Sequence, residues 1–412
     1  MRQLRPETVV IHADAPFQTT SAIAPPIFQT STFTAKTDAE YLRIATEPRN
    51  DRFYTRYGNP NHTQAAAVVA RLEGADDALI FPSGMAALST AVMAFCKRGD
   101  HVIAQQHMYA GTHKLLEEVM RPLGVECTFV EQTDLRAFEE ALRESTRLVM
   151  VETPSNPLLK ITDLHAVAEM ARARGVLTLA DNTFATPVNQ RPLDFGIDVV
   201  MHSGTKYLGG HSDVSAGVLA ARSSLIETMW PYAVKLGFTM NALDSWLLLR
   251  GMRTLVVRVE RQNQNAQALA AFLASRSDVS AVHYPGLPEH PGHALAARQM
   301  HAFGGVVSFE LTGTSEQVEP FIAALSLITR ATSLGGVEST LVHQSAMWGH
   351  LMSGDQLHAA GISPTLIRLS TGIEHIDDLV DDLERALQTR ATGRLTQTNV
   401  RPDDSRAQKA GH

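Results

Sequence analysis

The chain has 412 residues, 44% of them hydrophobic and 19% charged, and carries a formal net charge of −7. That length and composition suit a folded protein of two or three domains with a large core, not a disordered chain. The acidic balance and the lack of a Lys/Arg run argue against a nucleic-acid or membrane-surface partner.

Met1 to Gln18 is polar and holds no apolar signal region, so no secretory signal is expected. Residues 1–56 read as an irregular N-terminal arm with turn-forming segments at Ala24-Pro25-Pro26 and Glu47-Pro48-Arg49-Asn50. A long ordered arm usually packs on something, and a neighbouring subunit is one candidate. From 57 to 252 the pattern alternates, as expected for a large α/β domain. Helices are predicted at Thr63–Leu72, Met85–Phe95, Gly111–Met120 and Leu164–Arg174. Between them lie short, almost continuous apolar runs at Ala78–Phe81, His101–Ala104, Leu148–Glu152, Leu177–Ala180 and Val199–Met201. Such runs mark strands buried on both faces, and their alternation with helices predicts a mostly parallel sheet. Cys96 and Cys127 belong to no CxxC pair, so two thiols in a reducing cytoplasm are expected. No stretch approaches the ~20 apolar residues of a membrane span.

Residues 240–275 read as helical, with Leu255, Val259, Asn263, Ala266, Leu269 and Phe272 at spacings of three and four. Strands at Val306–Leu311, Ile328–Ser333 and Leu366–Ser370 alternate with helices at Glu316–Leu325 and Ile376–Leu387, which predicts a smaller C-terminal α/β domain over 253–394. Asp377 and Asp378 suit the first turn of the last helix, where the dipole favours carboxylates. The polar stretch 395–412 reads as a disordered tail.

Four segments carry chemistry. The first runs from His202 to Asp213 and contains Ser203, Thr205 and Lys206 directly after an apolar strand. It brings two hydroxyls and an amine to the end of a sheet, where ligands of open α/β folds bind. Hydroxyls can donate to phosphate oxygens, and an amine in a desolvated positive site loses basicity and can condense with a carbonyl. The second, Phe81-Pro82-Ser83-Gly84-Met85-Ala86-Ala87, turns a strand into a helix whose first N–H groups can face an anion. The third, Leu179-Ala180-Asp181-Asn182-Thr183-Phe184, ends a strand on a carboxylate. The fourth, Thr365-Leu366-Ile367-Arg368-Leu369-Ser370, buries an arginine whose planar fork suits a substrate carboxylate.

These segments resemble the Cys/Met-metabolism family of pyridoxal-phosphate (PLP) enzymes, closest to cystathionine γ-synthase and γ-lyase. The resemblance runs from about Thr8 to Leu387. It also includes Ala24-Pro25-Pro26-Ile27, Tyr54-Thr55-Arg56-Tyr57-Gly58-Asn59-Pro60, Glu152-Thr153-Pro154-Ser155-Asn156-Pro157 and Ser333-Leu334-Gly335-Gly336-Val337-Glu338-Ser339. It implies the type I PLP-dependent transferase fold, like that of aspartate aminotransferase, and a homotetramer of closely associated dimers. It implies pyridoxal 5'-phosphate as cofactor, bound as a Schiff base to Lys206, and a small sulfur amino acid as substrate. Gly84, Met85, Ser203 and Thr205 would hold the phosphate, joined by Tyr54 and Arg56 of a neighbouring subunit. Tyr109 would stack on the ring and assist proton transfer, Asp181 would pair with the pyridine nitrogen, and Asn156 would bond the ring hydroxyl. Ser333 and Arg368 would bind the substrate carboxylate.

The match departs from the family at three places. Thr332 stands where many γ-synthases and γ-lyases have Glu. Lys114 stands where cystathionine enzymes often have Arg, so it keeps the charge but not the fork. Gly111 stands where methionine γ-lyases usually have Cys, which counts against that activity. The segments Ser333–Ser339 and Ala360-Gly361-Ile362-Ser363 most resemble cystathionine γ-synthase and γ-lyase, so a γ-acting trans-sulfuration enzyme is expected. β-Lyase, methionine γ-lyase and O-acylhomoserine sulfhydrylase are alternatives, and a non-catalytic binding protein on the same fold is the alternative from another class. No GxGxxG follows a strand to support a nucleotide-dependent oxidoreductase. No HExxH or Cys/His cluster predicts a metal.

Overall fold

The computed structural model describes residues 4–349 and 353–392, so the polar stretch 395–412 lies outside the described residues. Seven strands form the first sheet: β1 (Asp77–Phe81), β2 (His101–Gln105), β3 (Glu126–Val130), β4 (Thr146–Glu152), β5 (Leu177–Asp181), β6 (Val199–His202) and β7 (Gly217–Ala221). Their order is β1-β7-β6-β5-β4-β2-β3. β2, β3, β4, β5 and β6 pair in parallel, while β7 runs antiparallel to both of its neighbours. The central strands are buried on both faces, which explains why they read as apolar runs without alternation.

Adjacent parallel strands end at the same edge. The register pairs Glu152 with Asp181 and Asp181 with Met201, so β4, β5 and β6 deliver Glu152, Asp181 and the Ser203 turn side by side. The helix Gly84–Phe95 starts at that edge, and the Ser83 side chain accepts from the Ala86 N–H as its N-cap. The helix Pro60–Glu73 lies over the sheet. Asn59 caps its start, Pro60 occupies its first turn, and Gly74 ends it at φ 72° in the left-handed region.

A second sheet of five strands follows: β8 (Val279–His283), β9 (Val306–Leu311), β10 (Thr329–Arg330), β11 (Thr340–His343) and β12 (Leu366–Ser370). Its order is β10-β11-β12-β9-β8, with only the β10–β11 pair parallel. Helices Leu255–Ala274, Val318–Ala323 and Ile376–Thr392 pack with it. The region read as one helical stretch at 240–275 is two helices, Ala242–Met252 and Leu255–Ala274. The strand expected at Ile328–Ser333 shrinks to Thr329–Arg330, because the chain turns at Ser333, whose φ is 83°.

The N-terminal arm is irregular apart from the helices Pro6–His12 and Asp38–Thr46 and a single turn at Ala15–Phe17. Arg253 forks onto the buried Asp14 carboxylate at 2.8 and 2.7 Å, and Asn61 accepts from the Phe28 N–H. Between these ties Ile23 stands fully exposed, and Tyr41 and Leu42 are also exposed.

Candidate active site

A cavity of about 470 Å³ opens at the carboxyl edge of the first sheet. It is lined by Tyr109, Asn156, Asp181, Ser203, Thr205, Lys206, Thr332, Ser333 and Arg368, together with Gly84 and Met85. Segments separated by hundreds of residues thus converge on one place, because three parallel strands end there and the β10–β11 connection folds over them.

Lys206 is the centre of this arrangement. Its Nζ donates to Ser333 Oγ at 2.8 Å. Burial lowers its pKa to about 8, helped by the Arg368 charge and opposed by Asp181. Arg368 is itself buried. Its Nη1 donates to Asn156 Oδ1 and its Nη2 to the Ser333 carbonyl, both at 2.9 Å. Burial lowers Arg368 to about 10, which leaves it charged at neutral pH. Its Nε has no hydrogen-bond partner among the described residues, so the guanidinium retains a donor. Ser333 holds a left-handed φ of 83°, strained for a serine, while its two oxygens serve Lys206 and Arg368.

Two carboxyls sit behind the amine. Asp181 Oδ1 accepts from the Thr183 hydroxyl at 2.5 Å and from the Thr183 N–H at 3.0 Å. The Thr183 hydroxyl oxygen in turn accepts from the Ser203 N–H at 2.8 Å, tying the carboxylate to the hydroxyl turn. Glu152, its neighbour on β4, accepts from the Tyr109 N–H at 2.7 Å and the Asn156 N–H at 3.0 Å. Burial raises both carboxyls, and Glu152, with Asp181 beside it, is held well above the usual range.

The donor set fits a phosphorylated pyridine aldehyde. A Cβ at Gly84 would stand 3.1 Å from Ser203 Cβ and 3.0 Å from Met201 Cε, so glycine lets the helix start close against the Ser203 turn without displacing either neighbour. That close approach puts the first N–H groups of a helix beside the Ser203 turn, a cradle suited to a phosphate, with Thr205 lining the same cavity. The amine and the Asp181 carboxylate share the same cavity. Above it, Tyr109 is half exposed at the mouth. A Cβ at Gly111 would come within 2.3 Å of the Tyr109 ring and 2.9 Å of Met85 Sδ, so this glycine sets where the ring lies.

Three expected site residues lie elsewhere in the chain's own structure. Tyr54 and Arg56 do not line this cavity. They border a smaller cavity of about 310 Å³ beside Thr32, Tyr41 and Tyr57, where Arg56 lies over the Tyr54 and Tyr57 rings. Lys114, at the end of the helix Ala110–Lys114, is likewise outside the cavity lining. Conversely, Ser83, Glu152, Thr183 and Phe184, which stand in the quoted segments without a role of their own, line it too, as do Met347 and Trp348. Glu152 ends a strand on a carboxylate just as Asp181 does, a signal the sequence carries. Met347 and Trp348 carry no local signal.

Among the described residues no cluster of His, Cys, Asp and Glu could hold a metal ion, and no helix is long and apolar enough to cross a membrane.

Comparison with known proteins places this geometry. Residues 7–388 match the family described as Cys/Met metabolism PLP-dependent enzyme. Cystathionine gamma-lyase of Bacillus subtilis is 40% identical over 387 residues, covering 93% of this chain and 100% of the relative. Cystathionine beta-lyase of Lactococcus lactis subsp. cremoris is 41% identical over 393 residues, covering 93% and 99%. The crystal structure of cystathionine gamma synthase from Xanthomonas oryzae pv. oryzae in complex with cystathionine superposes with a TM-score of 0.89 at 39% identity, covering 95% and 100%. The chain belongs to the Cys/Met-metabolism family of PLP-dependent enzymes.

Proposed function

We propose that the protein catalyses γ-elimination or γ-replacement on a sulfur amino acid or an activated homoserine, in trans-sulfuration of the cystathionine γ-lyase or γ-synthase type. The observation that carries this reading is the contact of Lys206 Nζ with Ser333 Oγ, made while Arg368 donates to the same serine's carbonyl. A proton-transferring amine and a carboxylate receptor are thereby held at a fixed separation, as an amino-acid substrate requires at its Cα and its carboxylate.

PLP, when bound, supplies an electron-withdrawing ring that stabilises negative charge on substrate carbon. Gly84, Met85, Ser203 and Thr205 would hold its phosphate, Asp181 its ring nitrogen, Asn156 its ring hydroxyl, and Lys206 its aldehyde carbon. Arg368 and Ser333 receive the substrate carboxylate. Lys206, whose amine lies against Ser333 beside that receptor, would remove the Cα proton. Its lowered basicity suits this step, because a base near pKa 8 is partly unprotonated at working pH. Tyr109 at the mouth takes part in proton transfer. Glu152 aligns Tyr109 and Asn156 through their N–H groups. Thr332, in the cavity lining, bears on which leaving group and acceptor are preferred.

The assembly belongs to the same proposal: a homotetramer in which Tyr54 and Arg56 reach a neighbour's phosphate site. Support comes from their place outside their own cavity and from the exposed apolar side chains of the arm. A cytoplasmic setting is supported by Cys96 and Cys127, both free.

The test is a product assay with cystathionine, methionine, cysteine, and O-acylhomoserine plus a thiol. The expected products are 2-oxobutyrate or a new thioether. Pyruvate alone, from cystathionine or cysteine, would replace the γ-reading by a β-lyase.

A further inference from the structure

Glu73 is the last residue of the helix Pro60–Glu73, fully buried, and outside the cavity lining. Two costs attach to a carboxylate there. Burial deprives it of water, and the C-terminal end of a helix is the end whose dipole disfavours negative charge. Its Oε2 has no hydrogen-bond partner among the described residues. Its Oε1 holds two donors: His202 Nε2 at 2.5 Å and Asn182 Nδ2 at 3.0 Å.

The positions of those donors give the feature its sense. Asn182 directly follows Asp181 at the end of β5. His202 directly precedes Ser203 at the end of β6. Both are buried, at 0% and 1% exposure. A single oxygen therefore pins the two strand ends that carry the ring-nitrogen acid and the first phosphate hydroxyl. Further bonds lock Asn182 in place: its N–H donates to the Met201 carbonyl at 2.9 Å, and its amide exchanges bonds with Gln190.

We propose that Glu73 is a positioning residue for the cofactor, a buried clamp that fixes the spacing between Asp181 and Ser203 through Asn182 and His202. The clamp rests on the reading that Asp181 and Ser203 hold PLP. It adds a residue that touches neither cofactor nor substrate.

The experiment titrates full-length protein, stripped of cofactor, with PLP and reads the dissociation constant from the visible absorbance of the bound cofactor. Thermal unfolding of the same samples reports folding. Glu73→Ala is expected to weaken PLP binding roughly 10- to 100-fold, the scale seen when the partner behind a metal ligand is removed. Glu73→Gln keeps a carbonyl oxygen for both donors and is expected to recover most of that loss. Asp14→Ala removes another buried carboxylate, tied to Arg253 and outside the cavity lining, and is expected to keep wild-type affinity whatever stability it loses. Asp181→Ala probes the underlying reading and is expected to weaken binding. Wild-type affinity in Glu73→Ala beside a weakened Asp181→Ala would overturn the clamp, as would an equal loss in Asp14→Ala. Wild-type affinity in Asp181→Ala would instead overturn the assignment of Asp181 to the ring nitrogen. Should Glu73→Ala fail to fold, His202→Ala and Asn182→Ala break the ties singly, and unchanged affinity in both overturns the clamp.

Discussion

The amine of Lys206 donates a hydrogen bond to the hydroxyl of Ser333 over 2.8 Å, joining segments 127 residues apart in the chain. The serine is held in a left-handed backbone conformation, with its carbonyl bonded to Arg368. The Lys206 amine and the Arg368 guanidinium are thus set by one residue, and strain at that residue is the structural cost of holding both.

Lys206 sets the pH dependence of cofactor capture. Burial, and then the Arg368 charge, bring its pKa down to about 8. An amine attacks an aldehyde only without its proton, so the rate of PLP capture by cofactor-free protein should rise with pH and level off above about 8. Arg368→Met removes the neighbouring positive charge, which should move the midpoint upward. Stopped-flow absorbance measures both, and a midpoint that stays or falls in the variant contradicts the assigned cause.

Arg368→Lys keeps a charge but replaces a fork that reaches both Asn156 Oδ1 and the Ser333 carbonyl. Losing one charged hydrogen bond is worth about 1.5–3 kcal/mol. KM for an amino-acid substrate should therefore rise at least about tenfold, while the PLP dissociation constant stays close to wild type. Steady-state kinetics on the loaded enzyme separate the two, and an unchanged KM would remove Arg368 from substrate binding.

Gly111→Ala tests the placement of Tyr109. The added methyl would meet the ring at 2.3 Å, so the ring must move. Tyr109 is half exposed and can swing outward, so the variant should stay folded, which thermal unfolding checks. Turnover should nevertheless fall about tenfold or more, toward the ~10²–10⁴-fold worth of a general acid–base group. Normal turnover in a stable variant would show that the ring position does not matter.

Thr183→Val keeps the shape of the side chain but removes the hydroxyl that joins Asp181 to the Ser203 N–H. One donor to a carboxylate and one acceptor for the half-buried Ser203 N–H are lost together. PLP affinity should fall about tenfold, from a loss of order 1.5 kcal/mol. Thr183→Ser, which keeps the hydroxyl, should stay near wild type in the same titration.

Much of the scaffold was legible because burial on both faces writes a simple pattern. β2, β4, β5 and β6 stood out as apolar runs, and they carry the carboxyl edge where the site lies. The strands not foreseen lacked that pattern. β3, at the sheet edge, mixes Glu126 and Thr128 with Phe129 and is half exposed. β7, Gly217-Val218-Leu219-Ala220-Ala221, is built of small residues that suit a helix equally well. β8 is an edge strand, half exposed through most of its length, and β11 has only four residues.

The candidate site was legible where a strand ended on a chemical group, as at Asp181 and Ser203. Trp348 and Met347 enter the cavity only through the tertiary fold. Glu73 acts through two other residues, so no local motif could mark it.

The most direct test of the account is to reduce the PLP-loaded protein with borohydride, digest it, and locate the cofactor-labelled peptide by mass. The account predicts a single pyridoxyl label on Lys206 and none in Lys206→Ala. A label on another lysine, or protein that takes up no PLP at all, would contradict it.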